Sequence, residues 1–225
     1  SNMSILFKSA PLGELVDADE KKGIVKGYAS YFNNKDSDSD IIRPGAYAKT
    51  IKENGHRVKY LYQHNMAQPL GKMVELVEDD KGLMFTAEIA KTTLGNDVIE
   101  LMKAGVITEN SVGILPMQKE NKMDYREITE VKLYEVSAVT LAANDQAKIL
   151  DVKGEKAQEN ILKRYDALAK LVRKGDISDE MGYCIEAELL KLKGLFFKAT
   201  APSIDTQPVD NSQEVFEYLI NKFNN

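Results

Sequence analysis

Ser111-Val112-Gly113-Ile114-Leu115-Pro116-Met117-Gln118-Lys119-Glu120 runs through the turn Asn121-Lys122-Met123-Asp124 into a long β-rich stretch, Tyr125 to Val139, and this pair of limbs decides the fold. Apolar and β-branched residues favour a pleated, half-buried surface, so both limbs read as strands. The segment Glu109 to Leu115 also sets one hydroxyl, that of Ser111, into an apolar strand directly after a helix. A serine hydroxyl is a poor nucleophile unless a base lies within hydrogen-bond reach and a third group holds that base. The chain has only two histidines. His64 ends the apolar and aromatic run Arg57 to Gln63, which reads as a strand, and His56 lies on the turn before it.

Working outward, Ile24 to Phe32 reads as a strand, with Gly27 where another backbone approaches closely. Lys72 to Glu78 and Leu83 to Ile89 form an antiparallel pair about the turn Asp79-Asp80-Lys81-Gly82. Pro44 is placed as the first residue of a helix over Gly45 to Asn54, with Gly55 as its left-handed stop. Thr93 caps a helix from Leu94 to Ala104 that turns Val98, Leu101 and Met102 to one face, ends at Gly105 and delivers the chain to Ser111. Six or seven short antiparallel strands with two or three helices, and no repeating strand-helix-strand rhythm, predict a mainly β fold. Its expected form is a closed or nearly closed antiparallel barrel flanked by helices.

After residue 150 the composition turns charged, Lys-rich and β-poor. Asp151 to Lys156 is a candidate linker. Ile161, Leu162, Tyr165, Leu168, Leu171 and Val172 follow helical spacing, and Ser178 caps a second helix from Asp179 to Lys193 that stops at Gly194. A weaker helical pattern covers Gln213 to Phe223, after the connector Ala199 to Pro208. The expected organisation is therefore a barrel over residues 4–150 and a helical tail over residues 151–225.

Composition excludes several classes of function. A net charge of −5 and a pI near 5.3 leave no basic stripe for nucleic acid. No apolar run approaches the ~20 residues that span a bilayer, so no membrane partner is expected. The single Cys184 has no partner within the chain, which suits a reducing cytoplasm. Asp36, Asp38 and Asp40 alternate with serines, yet a calcium loop counted from Asp36 needs glycine and glutamate where Ile41 and Tyr47 stand. A solvated loop and no metal are expected there.

The order His64, then Ser111, then an acidic residue within Leu133 to Val139, together with Asp40-Ile41-Ile42-Arg43-Pro44-Gly45-Ala46-Tyr47, Gln63-His64-Asn65, Pro69-Leu70-Gly71, Gly82-Leu83, Ser111-Val112-Gly113, Glu135-Val136-Ser137 and Ala143-Asn144, resembles the prohead maturation proteases of tailed bacteriophages. These are distantly similar to the herpesvirus assemblins, and the likeness spans roughly residues 20 to 148. Two positions depart from the family pattern: Ala142 stands where a proline is usual before Ala143-Asn144, and Asn65 where an aspartate is common. The resemblance implies an assemblin-like barrel and a serine endopeptidase without cofactor. It would cleave the scaffolding segment of the major capsid protein, and itself, inside the procapsid in the bacterial cytoplasm. It also implies a dimer or larger oligomer, a state that the apolar face of Ile161, Leu162, Tyr165 and Leu168 would suit.

On that pattern Ser111 is the nucleophile, His64 the general base and Glu135 the carboxylate that orients the imidazole. Glu127 and Glu130 lie on the same β-rich run, and strand parity sets Ser137 on the face of Glu135, where it can help orient the site. The turn Leu141 to Asn144 is the expected source of oxyanion-hole amides. Taken singly, without the family pattern, the residues fit better a half-buried strand histidine, a serine at a helix-to-strand junction and an exposed strand carboxylate. A non-catalytic capsid-assembly scaffold or chaperone is the alternative, whereas a metal hydrolase lacks a histidine-carboxylate cluster.

Overall fold

The structure, a computed structural model, describes residues 4–16, 23–139, 155–173 and 179–200. Contacts divide the chain into two compact units, residues 6–144 and residues 145–225 taken with residues 1–5.

In the first unit nine strands form one sheet. They are β1 (Leu6–Pro11), β2 (Glu14–Val16), β3 (Gly23–Tyr31), β4 (Asp40–Ile42), β5 (Lys59–Tyr62), β6 (Asn65–Glu78), β7 (Gly82–Ile89), β8 (Glu109–Asn121) and β9 (Arg126–Val139), with helices α1 (Ala48–Asn54) and α2 (Thr93–Lys103). The order across the sheet is β1-β8-β9-β5-β6-β7-β3-β2, with β4 also on β9. Both outermost strands belong to one segment, bent at Leu12-Gly13, that pairs with β8 through β1 and with β3 through β2. The sheet therefore curls until its two ends meet in that segment. At the bend Gly13 has φ +80°, and a Cβ there would lie 2.8 Å from the Lys26 carbonyl and 2.9 Å from the Gly27 Cα, so no side chain fits.

The mainly β sheet curled on itself and flanked by helices is the expected architecture, but its pairing is mixed. β4 and β5 both run parallel to β9. The chain passes from β4 through α1 to β5, and such a crossover returns the chain in the same direction, which a tight hairpin cannot do. β1 and β2 were absent from the expected strands because the inward positions of β1 are Leu6, Lys8 and Ala10, and a charged Lys8 interrupts the apolar alternation.

Inside the curl lie Val25, Tyr47, Tyr60, Leu70, Leu83, Phe85, Ile89, Ile107, Val112, Ile114, Ile128, Leu133, Val136 and Ala138. Removing each larger side chain from water contributes about 1.5–3 kcal/mol. Helix boundaries depart from the expected ones for local reasons. Gly45 adopts φ +90°, so Pro44 to Tyr47 form turns and α1 begins only at Ala48. Gly55 is right-handed at φ −55° and continues into a 3-10 turn, Gly55–Arg57, rather than stopping the helix. Thr92, not Thr93, caps α2, its Oγ1 accepting the Gly95 N–H at 3.0 Å.

In the second unit α3 (Glu155–Arg173) packs with α4 (Asp179–Thr200). Ile161, Tyr165 and Ala169 form the buried stripe of α3. Ile161 and Tyr165, two residues of the apolar face named above, are buried. α4 runs through Gly194 to Thr200 instead of stopping there; the glycine leaves room for Ser4, whose Cβ a side chain at 194 would meet at 3.1 Å. Cys184 lies within α4. The third helical pattern, Gln213 to Phe223, falls outside the described residues. No helix among the described residues is long and apolar enough to cross a membrane.

Candidate active site

β8 and β9 pair antiparallel along nearly their whole length, and the unbroken register of Glu109 to Gly113 with Val139 to Glu135 assembles the site. Ser111 stands directly opposite Ser137, and Gly113 directly opposite Glu135. Directly opposed residues share a face of the sheet, as do residues two apart on one strand. Ser111, Gly113, Glu135 and Ser137 therefore form a square on one face, while Val112, Ile114, Val136 and Ala138 point from the other face into the core.

Glu135 reaches that face through a bulge. The register shifts between Gly113/Glu135 and Ile114/Leu133, leaving Tyr134 as the extra residue. Before it, Val131 and Leu133 face the core; after it, Val136 and Ala138 do. A regular strand would have aimed Glu135 inward with Leu133. Bulges re-aim side chains in this way beside functional sites.

His64 comes to the square from the β5–β6 connection. Tyr62 pairs with Asn65, so Gln63 and His64 are a two-residue hairpin loop, and both are left-handed, with φ 53° and 58°. Positive φ at both loop residues is the signature of a type I′ turn, whose twist matches that of its strands. His64 is thus a turn residue rather than a strand residue. Two bonds fasten the turn to β9: Gln63 N–H donates to the Ala138 carbonyl at 3.0 Å and His64 N–H to Ser137 Oγ at 3.1 Å.

The His64 ring is held on two sides. Its Nδ1 is hydrogen-bonded to Glu135 Oε1, and the other carboxylate oxygen, Oε2, accepts from Ser137 Oγ at 2.5 Å. Phe7 of β1, opposite Gly113, lies against the ring with centroids 4.2 Å apart and planes tilted by 44°. Phe7 was not among the expected site residues, since nothing in its local sequence distinguishes it from a core aromatic. His56 is exposed on the 3-10 turn, so His64 alone supplies an imidazole here.

Ser111 Oγ and His64 Nε2 are both buried and neither makes a hydrogen bond. Buried polar atoms are rarely left unbonded, and chemistry at the site is one of the few accounts of such atoms. Glu130 and Glu127 lie elsewhere, opposite Gln118 and Glu120 toward the far end of the hairpin, and Glu127 Oε2 is 3.2 Å from Arg43 Nε. Leu141 to Asn144 fall outside the described residues.

Neighbouring contacts brace the serine. Asn110, fully buried, accepts from the Tyr60 hydroxyl at 2.8 Å and donates from Nδ2 to the Leu12 carbonyl at 2.8 Å. Burial pushes the Tyr60 hydroxyl well above its usual range, so it remains a neutral donor.

The β3–β4 loop is largely exposed, as expected, but Asp36 is half-buried and Asp40, the first residue of β4, is buried. Lys8 projects into the loop, its Nζ 2.7 Å from Asp36 Oδ2, 3.1 Å from Asp38 Oδ2 and 2.7 Å from Asp40 Oδ2. Arg126 holds buried Asp40 through two bonds, at 2.7 and 2.8 Å. Burial by itself would lower the Lys8 pKa, but its bonds to Asp36 and Asp40 outweigh this and raise it. Burial likewise opposes ionisation of Asp40, yet Arg126 and Lys8 bring its carboxyl below the usual range. An ammonium occupies the centre of the carboxylate cluster, where a cation would have to bind.

A curled β sheet that presents an unbonded serine hydroxyl, a buried imidazole and a carboxylate on one face has the make-up of a serine hydrolase. The chain belongs to the Caudovirus prohead serine protease family, whose model matches residues 13–163. It is 35% identical over 152 residues to the prohead protease of Enterobacteria phage HK97, covering 64% of this chain and 66% of that protein. With the prohead protease of Escherichia phage T5 it shares 30% identity over 153 residues, covering 63% of this chain and 71% of that protein. The chain thus spans about two thirds of the length of these relatives. Among solved structures the bacteriophage T4 capsid assembly protease has the same fold, at 13% identity and a TM-score of 0.50, covering 62% of this chain and 99% of that one.

Proposed function

We propose that this chain is a serine endopeptidase of phage procapsid maturation, acting inside the procapsid in the host cytoplasm on the scaffolding segment of the major capsid protein. The observation that carries this is the pair of buried, unbonded atoms, Ser111 Oγ and His64 Nε2, beside a His64–Glu135 contact. With the Nδ1 proton donated to Glu135, Nε2 is left with its lone pair free to accept. It takes the Ser111 proton as Oγ attacks a peptide carbonyl, then returns it to the leaving amine; water afterwards releases the acyl group by the same route in reverse. Glu135 fixes the tautomer and balances the imidazolium. A non-catalytic capsid-assembly scaffold, the alternative, gives these atoms no task.

Residues 4–150 serve in this proposal as the catalytic barrel and residues 151–225 as a scaffold-binding tail that the enzyme removes from itself. Cuts fall in one or both of the linkers read from the sequence, Asp151 to Lys156 and Ala199 to Pro208, and none within Ile161 to Val172 or Met181 to Leu192. The active species is a dimer or larger oligomer, as the family resemblance implies. Incubation of the purified chain with the capsid protein of the same phage, wild type beside Ser111→Ala and read by mass spectrometry, tests the reading. Capsid fragments and tail loss from wild type alone support it, and fragments equal in both samples contradict it. Light scattering that shows a strict monomer at cleaving concentrations contradicts the oligomer.

A further inference from the structure

We infer that Ser137 is a positioning residue of this site: one buried hydroxyl ties the carboxylate of Glu135 to the backbone of His64. This rests on the roles proposed for Ser111, His64 and Glu135, and adds a fourth.

A hydroxyl offers one donor and two acceptor lone pairs. Ser137 spends its donor on Glu135 Oε2 at 2.5 Å and receives the His64 N–H at 3.1 Å. The residue is fully buried, so water does not replace either bond. Each bond answers a separate need. Glu135 reaches His64 with Oε1 only, and a carboxylate held at one oxygen turns freely about its last torsion; the bond to Oε2 fixes its plane. His64 sits at φ 58° next to Gln63 at φ 53°, a pair of left-handed residues without a glycine, and such backbone persists only where its surroundings hold it. The bond from His64 N–H to Ser137 Oγ is one of the two that fasten the turn to β9.

Ser137 is also the residue directly opposite Ser111. Two serines stand side by side with opposite hydrogen-bond states, and the difference separates their tasks. The Ser137 hydroxyl is engaged on the Glu135 side of the imidazole, whereas Ser111 Oγ is unbonded.

The test uses the full chain, with the capsid protein of the same phage as substrate. Ser137→Ala is expected to lower kcat roughly 10- to 100-fold, the loss of a charge-assisted hydrogen bond in the transition state, with KM within about twofold and an unchanged fold. Ser137→Thr, which keeps the hydroxyl, recovers most of that loss. Because the hydroxyl acts in part through the carboxylate, Ser137→Ala introduced into Glu135→Ala costs roughly threefold or less. If Ser137→Ala does not fold, Ser137→Cys, similar in volume with a weaker donor, is put through the same cycle. A kcat equal to wild type, or the same fold-loss with and without Glu135, overturns the inference, as a purely structural serine would give additive losses. Ser111→Ala is run in parallel. If it cleaves at the wild-type rate the proposed nucleophile falls, whereas an inactive Ser111→Ala beside a fully active Ser137→Ala overturns only the role of Ser137.

Discussion

Glu135 lies over Gly113: a Cβ added to Gly113 would sit 2.6 Å from Glu135 Oε1, the oxygen bonded to His64 Nδ1. The glycine is therefore the floor on which the carboxylate rests. Gly113→Ala is expected to push Glu135 off His64 and lower kcat by about 10-fold or more, while destabilising the fold by only about 1–3 kcal/mol as an overpacked position does. Steady-state kinetics with urea unfolding check this. An alanine variant with wild-type kcat contradicts it.

Phe7 covers the other side of the imidazole at 4.2 Å, which holds the ring plane. Phe7→Ala should lower kcat/KM several-fold, on the order of 3- to 30-fold, because a ring free to rock spends less time aligned for proton transfer. Phe7→Leu should lose less, since it retains apolar contact. Equal kinetics for Phe7→Ala and wild type would remove any part for Phe7 in the site.

Lys8, next to Phe7 in β1, anchors that strand through Asp36, Asp38 and Asp40. Replacement by methionine removes one of the two cations on buried Asp40, which keeps Arg126, and is expected to cost about 1–3 kcal/mol. The pH dependence has a fixed sign. Asp40 has a depressed folded pKa, so its contribution is present above its unfolded value near ~3.9 and is lost as pH falls through the lower folded value. Lys8 has a raised folded pKa, so its contribution is whole below its unfolded value near ~10.4 and is lost as pH rises through the higher folded value. Urea unfolding of wild type and Asp40→Asn across pH checks the acid limb. The variant should lose part of the fall in stability below about pH 4; identical slopes would contradict the coupling.

Much of the sheet was legible because β3, β7, β8 and β9 carry long apolar runs, and α2 carries helical spacing with a glycine at φ +72° just past its end. β1 was not, because its inward Lys8 is neutralised by a loop some thirty residues away in sequence. Parallel pairing of β5 with β9 was hidden as well, since parallel and antiparallel strands share the same alternation. At the site the residue types pointed to chemistry, but their meeting depends on two features of the backbone. One is the left-handed turn at Gln63-His64, which carries no glycine to announce it. The other is the bulge at Tyr134, whose sole trace in the sequence is that inward apolar residues change from odd numbers, Val131 and Leu133, to even ones, Val136 and Ala138. That change of parity was available to be read.

The central claim is that Ser111, His64 and Glu135 act together in peptide-bond cleavage, and single-turnover cleavage of the capsid protein by the variants tests it most directly. Ser111→Ala and His64→Ala each remove an end of one proton transfer without emptying a large core volume. Both are expected to be inactive with unchanged far-ultraviolet circular dichroism and thermal midpoint, while Glu135→Gln, which still accepts a hydrogen bond, retains more activity than either. A Ser111→Ala chain that cleaves the capsid protein as fast as wild type would contradict the account.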